Sequence, residues 1–188
     1  MNATFKSIFI AFGLSLCVIS AASAQKYATK NGKISFFSQT PAEKIEAHNN
    51  QVNSALDIAN GDFVFKVLIM GFEFEKALMQ EHFNENYLES DKFPNSTFKG
   101  KITNISDINF SKDGKYNVMV EGDLTIHNVT KKVSVPGTIE IKAGDIMAEA
   151  KFDVLLNDYS IKVPNTVINS ISETQEITVN VELKKLSN

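Results

Sequence analysis

The sequence predicts an all-β chain: an up-and-down antiparallel β-barrel of about eight strands, with one amphipathic helix near 75–88 at the barrel mouth. Three observations predict it. Apolar and polar residues alternate along most of the chain. Turn-forming residues recur between the alternating runs. Only one long stretch, Glu75 to Leu88, changes to a spacing of three to four.

In chain order, residues 1–24 read as a leader rather than as part of the barrel. Lys6 supplies a positive start, Ile8 to Ile19 an apolar run, and Ala22-Ser23-Ala24 a small-x-small cleavage site before Gln25. The run is short for a bilayer span. Cys17 lies within it behind Leu16, which does not fit a lipid-acceptor site. The expected product is a domain of residues 25–188, periplasmic or secreted. Losing the leader removes the only cysteine, and with it disulfides, thiol chemistry and cysteine metal sites. The remaining 164 residues are enough for one good core.

Strands are expected near 27–38, 44–48, 51–58, 62–72, 97–108, 115–127, 131–142, 145–156 and 174–186. The clearest is Tyr116 to Ile126: Tyr116, Val118, Val120, Leu124 and Ile126 face one way, and Asn117, Glu121, Asp123 and Thr125 the other. Val133, Val135, Ile139 and Ile141 repeat this, as do Ile146, Ala148, Ala150, Phe152 and Val154. One wet and one apolar face per strand is the signature of an antiparallel sheet. Asn60-Gly61, Asp113-Gly114 and Ala143-Gly144-Asp145 mark hairpins. Hairpins in succession give up-and-down topology, and closure removes exposed edges.

Between strands, the helix places Leu78, Met79, His82, Phe83 and Tyr87 at helical spacing among Glu75, Lys76, Gln80, Glu81 and Glu85. Lying across a mouth, its Leu78–Met79–Phe83 face lines or gates the opening. A turn around Val167 to Ile171, after Pro164, can act similarly. The inward set is rich in phenylalanine: Phe36, Phe63, Phe65, Phe72, Phe74, Phe98, Phe110 and Phe152, with Met70 beside them. Such rings either fill an ordinary core or line a bore, and alternation alone leaves both readings open.

Composition excludes some functions. Without Lys6 the chain has 18 lysines against 22 acidic residues, a net charge of −4, and it has no arginine. A nucleic-acid surface needs a basic face, and bidentate phosphate recognition needs arginine; neither is present. Catalysis finds little support. His48, His82 and His127 are the only histidines, and no Gly-x-Ser-x-Gly elbow occurs. Glu81, His82 and Glu85 have metal-like spacing on a helix, but without further ligands the pattern is that of a solvated face. The paired carboxylates Asp153 and Asp158 carry no sequence sign of acid–base work. The chain reads as no enzyme and no metalloprotein.

Two stretches carry a family resemblance. His82-Phe83-Asn84 through Ser90-Asp91-Lys92-Phe93-Pro94 into Thr97-Phe98-Lys99-Gly100 is the first. Gly122-Asp123-Leu124-Thr125-Ile126-His127-Asn128-Val129-Thr130-Lys131 is the second. Together with the strand order and the leader, they resemble the YceI-like family of exported lipid-binding proteins over essentially the whole mature chain. The resemblance implies a lipocalin-like barrel whose bore holds a lipid, polyisoprenoid in some members. It makes Phe36, Phe63, Phe65, Met70, Phe72, Phe74, Leu78, Met79, Phe83, Phe98, Phe110 and Phe152 the ligand-binding candidates. The implied function is an exported, non-enzymatic carrier or sequesterer of an isoprenoid, quinone-like or acyl lipid, with no other cofactor. A structural or interaction barrel with a filled core is the second reading. Ile34-Ser35-Phe36-Phe37 stands where the family has a Lys-His pair, Lys76–His82 replaces its arginine-containing helix motif, and Asn128 stands for the hairpin glycine. These mark a divergent branch.

Overall fold

The computed structural model describes residues 25–164, 167 and 169–186; the leader reading lies outside them. Nine antiparallel strands form one sheet: β1 (Lys26–Gln39), β2 (Lys44–Asp57), β3 (Asp62–Leu68), β4 (Glu73–Phe74), β5 (Asn95–Ile102), β6 (Gly114–Ile126), β7 (Val129–Lys142), β8 (Asp145–Leu155) and β9 (Thr174–Lys185). The order is β1-β9-β8-β7-β6-β5-β3-β2, and β1 pairs back with β2, so eight long strands close a barrel. The two-residue β4 adds to β2 beyond the end of β3.

The alternation read from the sequence is the inward–outward alternation of these strands. Buried Val118 and Leu124 on β6 are separated by exposed Met119, Glu121 and Asp123. The predicted strands at 44–48 and 51–58 are one strand, β2, because Asn49 and Asn50 continue the chain in extended form. The strand expected at 62–72 stops at Leu68, where a 3-10 turn, Ile69–Gly71, intervenes. The one expected at 97–108 stops at Ile102. The Asn60-Gly61 hairpin is a four-residue turn, closed by the Gly61 N–H donating to the Asp57 carbonyl at 2.9 Å. Two hairpins are two-residue turns with both residues at positive φ: His127 and Asn128 at 49° and 60°, Ala143 and Gly144 at 52° and 86°. This geometry matches strand twist and tolerates Asn and Gly best.

The helix is shorter than expected. An α-helix, α1 (Ala77–His82), runs into a π-helical turn, Phe83–Tyr87, closed by the Leu88 N–H donating to the Phe83 carbonyl at 2.9 Å. It connects β4 to β5 and lies at the end of the barrel where β3 finishes and β5 begins.

The interior divides by height. The far end is solid: Tyr27, Leu56, Ile102, Ile141, Ile146 and Leu183 belong to one cluster of buried side chains. The helix end holds two smaller clusters, one around Ile69, Leu88, Tyr159 and Ile161 and one around Ala47, Val52, Val67 and Phe72. Space remains between them.

Candidate ligand-binding cavity

That space is a cavity of about 370 Å³ running through the helix-proximal part of the bore. On β6 its wall extends from Val118 to Ile126, nine residues spanning roughly 26 Å of strand. Two opposed walls make the room. On β3 and β5, Phe63 and Phe65 stand 4.6 Å apart between ring centres, and Phe98 lies 6.2 Å from Phe65. Across the barrel, β8 presents Ala148 and Ala150 and β7 presents Gly137. Large side chains thus face small ones, and the difference in volume stays open.

Phe98 keeps its place because two glycines lie beside it. Gly100 and Gly122 are register partners on β5 and β6. A Cβ on Gly100 would sit 2.5 Å from the Phe98 ring and 2.3 Å from the Glu121 carbonyl oxygen; one on Gly122 would sit 2.4 Å from the Gly100 Cα. The Phe-x-Gly and Gly-x-Leu stretches of the sequence are therefore one packing unit, a ring laid over a gap in two strands.

The mouth is capped by aromatic packing. Phe83, on the π-turn, meets Phe36 at 5.5 Å, Phe72 at 5.5 Å and Phe74 at 5.0 Å. Met79, His82 and Tyr87 complete the helical side of the cap, and Val167, Ser170 and Ile171 line it from the β8–β9 connection. Burial raises the Tyr87 phenol above its ordinary value. Polar tethers hold the cap at both ends. Lys76 pairs with Glu43 of the β1–β2 turn at 3.1 Å, and Glu89 accepts from His127 Nε2 of the β6–β7 turn at 3.0 Å. The Glu89 carboxyl is held below its ordinary value, first by its hydrogen bond from Lys92 and then by that from His127.

Nine of the twelve sequence candidates line the cavity: Phe36, Phe63, Phe65, Phe72, Phe74, Met79, Phe83, Phe98 and Phe152. Three do not. Met70 is 57% exposed because the 3-10 turn breaks the strand period and turns Ile69 inward instead. Leu78 is 61% exposed, about 100° round the helix from Met79, which faces the bore. Phe110 packs against the solid end, in the β5–β6 connection. Much of the remaining lining is aliphatic, including Val118, Val120, Val133, Val135, Ile177 and Val179. The alternation already places several of these inward, but the candidate set holds phenylalanines, methionines and Leu78 and none of these aliphatic residues.

No lysine lines the cavity among the described residues. Its polar side chains gather at the mouth, among them Glu43, His82, Tyr87, Ser96, Ser170 and Gln175; Thr97 takes an outward strand position beside Thr125, and Thr138 and Glu149 pair with each other on the exposed face. Among the described residues, no group of three His, Cys, Asp or Glu is arranged to hold a metal ion, Glu81–His82–Glu85 included. No described helix is long and apolar enough to cross a membrane.

Solved structures share this architecture at low sequence identity. A polyisoprenoid binding domain from Saccharophagus degradans superposes with a TM-score of 0.75 at 12% identity, covering 87% of this chain and 99% of its own. BcnA of Burkholderia cenocepacia gives 0.64 at 13% identity, over 81% and 96%. The YceI protein of Campylobacter jejuni gives 0.50 at 14% identity, over 100% and 94%. No curated protein matches by sequence. The family model of the YceI-like domain matches residues 23–183. The barrel, its short helix and this match agree, and the chain belongs to the YceI-like domain family.

Proposed function

We propose that the protein is an exported, non-enzymatic carrier or sequesterer of a neutral apolar lipid, an isoprenoid, quinone-like or acyl chain held in the mouth half of the barrel. The cavity carries this reading: it is long, lined by rings and aliphatic side chains, and free of lysine among the described residues. The similar domain from Saccharophagus degradans, described as polyisoprenoid binding, supports the ligand class and a binding role rather than an enzymatic one. The leader-like residues 1–24 support export.

The magnitudes are sufficient. A chain burying on the order of 500 Å² of apolar surface gains roughly 12 kcal/mol at ~25 cal/mol per Å². Lost mobility takes back about half or more, leaving micromolar to nanomolar affinity. A charged head group meets no lysine among the described lining residues, so a hydroxyl or carbonyl head at the polar mouth fits better than a phosphate.

The test fills the bore without touching the scaffold. Ala150→Phe projects a ring into the cavity from β8, opposite Phe65, and Phe98→Asp places a charge there. Both variants are expected to lose uptake of a dansyl-labelled prenyl alcohol, measured by fluorescence titration, with Ala150→Phe keeping its circular-dichroism spectrum. A folded Ala150→Phe protein that binds the probe with unchanged affinity would refute the bore as the site.

A further inference from the structure

We propose that the lipid enters and leaves through the barrel wall, between β7 and β8, rather than through the helix-capped mouth; this rests on the reading of the bore as a lipid site. The β7–β8 ladder runs only from Lys142↔Asp145 to Gly137↔Ala150. Beyond it, β7 continues from Pro136 back to Val129, and β8 on to Leu155, with no pairing between them. On their other edges both strands stay paired, β7 with β6 as far as Val129 and β8 with β9 as far as Leu155. The seam is therefore a parting between two well-held strands, not frayed ends.

The sequence supplies a cause. Pro136 has no N–H to give to a neighbouring strand, and the ladder ends at the next residue. Another interrupted seam, between β2 and β3, is sutured instead. Fully buried Asn49 donates from Nδ2 to the Leu68 carbonyl at 2.8 Å and accepts from the Gln51 N–H at 2.9 Å. No such side-chain suture joins β7 to β8 in the parted region among the described residues.

Outside the parting lies a second cavity of about 380 Å³. Val133, Phe152 and Val154 belong to the walls of both it and the bore. What covers the seam is the short segment after β8, a 3-10 turn Leu156–Tyr159 followed by Ser160 at φ 59° and Ile161. Tyr159 is 3% exposed and lines the outer cavity, while Ile161 lines the bore. Two polar contacts join the strap to the β6–β7 side, His127 Nδ1 lying 3.3 Å from the Tyr159 carbonyl oxygen and Lys131 pairing with Asp158 at 3.7 Å, while Tyr159 and Ile161 pack with Leu88, Leu124 and Val154. Lifting it breaks no strand ladder. Opening the mouth instead separates Phe83 from three rings and frees both ends of the helical cap.

Two matched crosslinks separate the routes. In the full chain carrying Cys17→Ser, a thiol-reactive bridge is placed across Lys131→Cys/Asp158→Cys at the strap, or across Glu43→Cys/Lys76→Cys at the mouth. Stopped-flow fluorescence follows uptake and release of the dansyl-labelled prenyl alcohol. The strap bridge is expected to slow uptake and release together by about tenfold or more, with the equilibrium constant nearly unchanged, whereas the mouth bridge leaves both rates within about twofold. Tyr159→Ala, which removes the ring from the seam, is expected to speed both. Slowing by the mouth bridge alone, no slowing by the strap bridge, or unchanged rates in a folded Tyr159→Ala protein each overturn the lateral route while leaving the bore site standing. Failure of the unbridged protein to bind the probe overturns the bore reading itself, and the route with it.

Discussion

Asn49 shows how a single side chain replaces part of a strand ladder. Its amide serves two backbone groups where β3 turns away from β2. Asn49→Ala removes a fully buried amide and its bonds to the Leu68 carbonyl and the Gln51 N–H, and is expected to cost about 2 kcal/mol in urea unfolding. Gly122→Ala has no space for its methyl between the Gly100 backbone and the Phe98 ring. It is expected to cost about 1–3 kcal/mol by overpacking and to weaken probe binding, because Phe98 must shift within the bore. At Glu89, the bonds from Lys92 and His127 lower the carboxyl's pKa in the folded protein. Its contribution to stability is therefore complete above the ordinary carboxylate value and disappears as pH falls through the lowered one. Melting temperatures of the native protein and Glu89→Gln should differ by a constant amount at neutral pH and converge on acidification. A gap that stayed constant down to the lowest pH would show that Glu89 is not titrating in this tether.

Helix and seam set access at the element scale. The helical cap rests on Phe83, which a π-turn presents to three rings at once. Phe83 is only half-buried, so Phe83→Ala is expected to cost about 2 kcal/mol, below the usual range for core phenylalanines. The seam predicts a pattern in amide hydrogen exchange. Peptides covering 131–135 and 151–155 should exchange faster than those covering 138–142 and 145–149, because only the latter are laddered across β7–β8. Equal protection would mean that the strands pair along their full length. The helix was legible from its spacing, but not the inserted π residue that ends it. Pro136 was visible as well, inside a run whose alternation of Val133, Val135, Ile139 and Ile141 holds across it. Alternation reports the face of each residue; a missing donor that frees one edge leaves that pattern intact.

Over the whole molecule, the same eight strands make a packed core at one end and a hollow at the other. The closed barrel, the position of the helix and most of the inward face could be read from period and turns. The boundary between solid and hollow could not. Inward positions are alike in sequence, and what distinguishes them is the residue opposite: Phe63 and Phe65 across from Ala148 and Ala150 leave space, whereas Tyr27, Leu56, Ile141 and Leu183 meet. Met70 and Phe110 were misplaced for a related reason, since each lies beyond the point where its strand ends and the period ceases to hold. The central claim, that the hollow half holds a neutral lipid chain, is tested most directly by expressing the full chain in an exporting host, purifying it without detergent, and analysing an organic extract by mass spectrometry. The expected result is one prenyl, quinone-like or acyl species in near-equimolar amount. A protein that comes out empty, and stays empty after incubation with the host's membrane lipids, would contradict it.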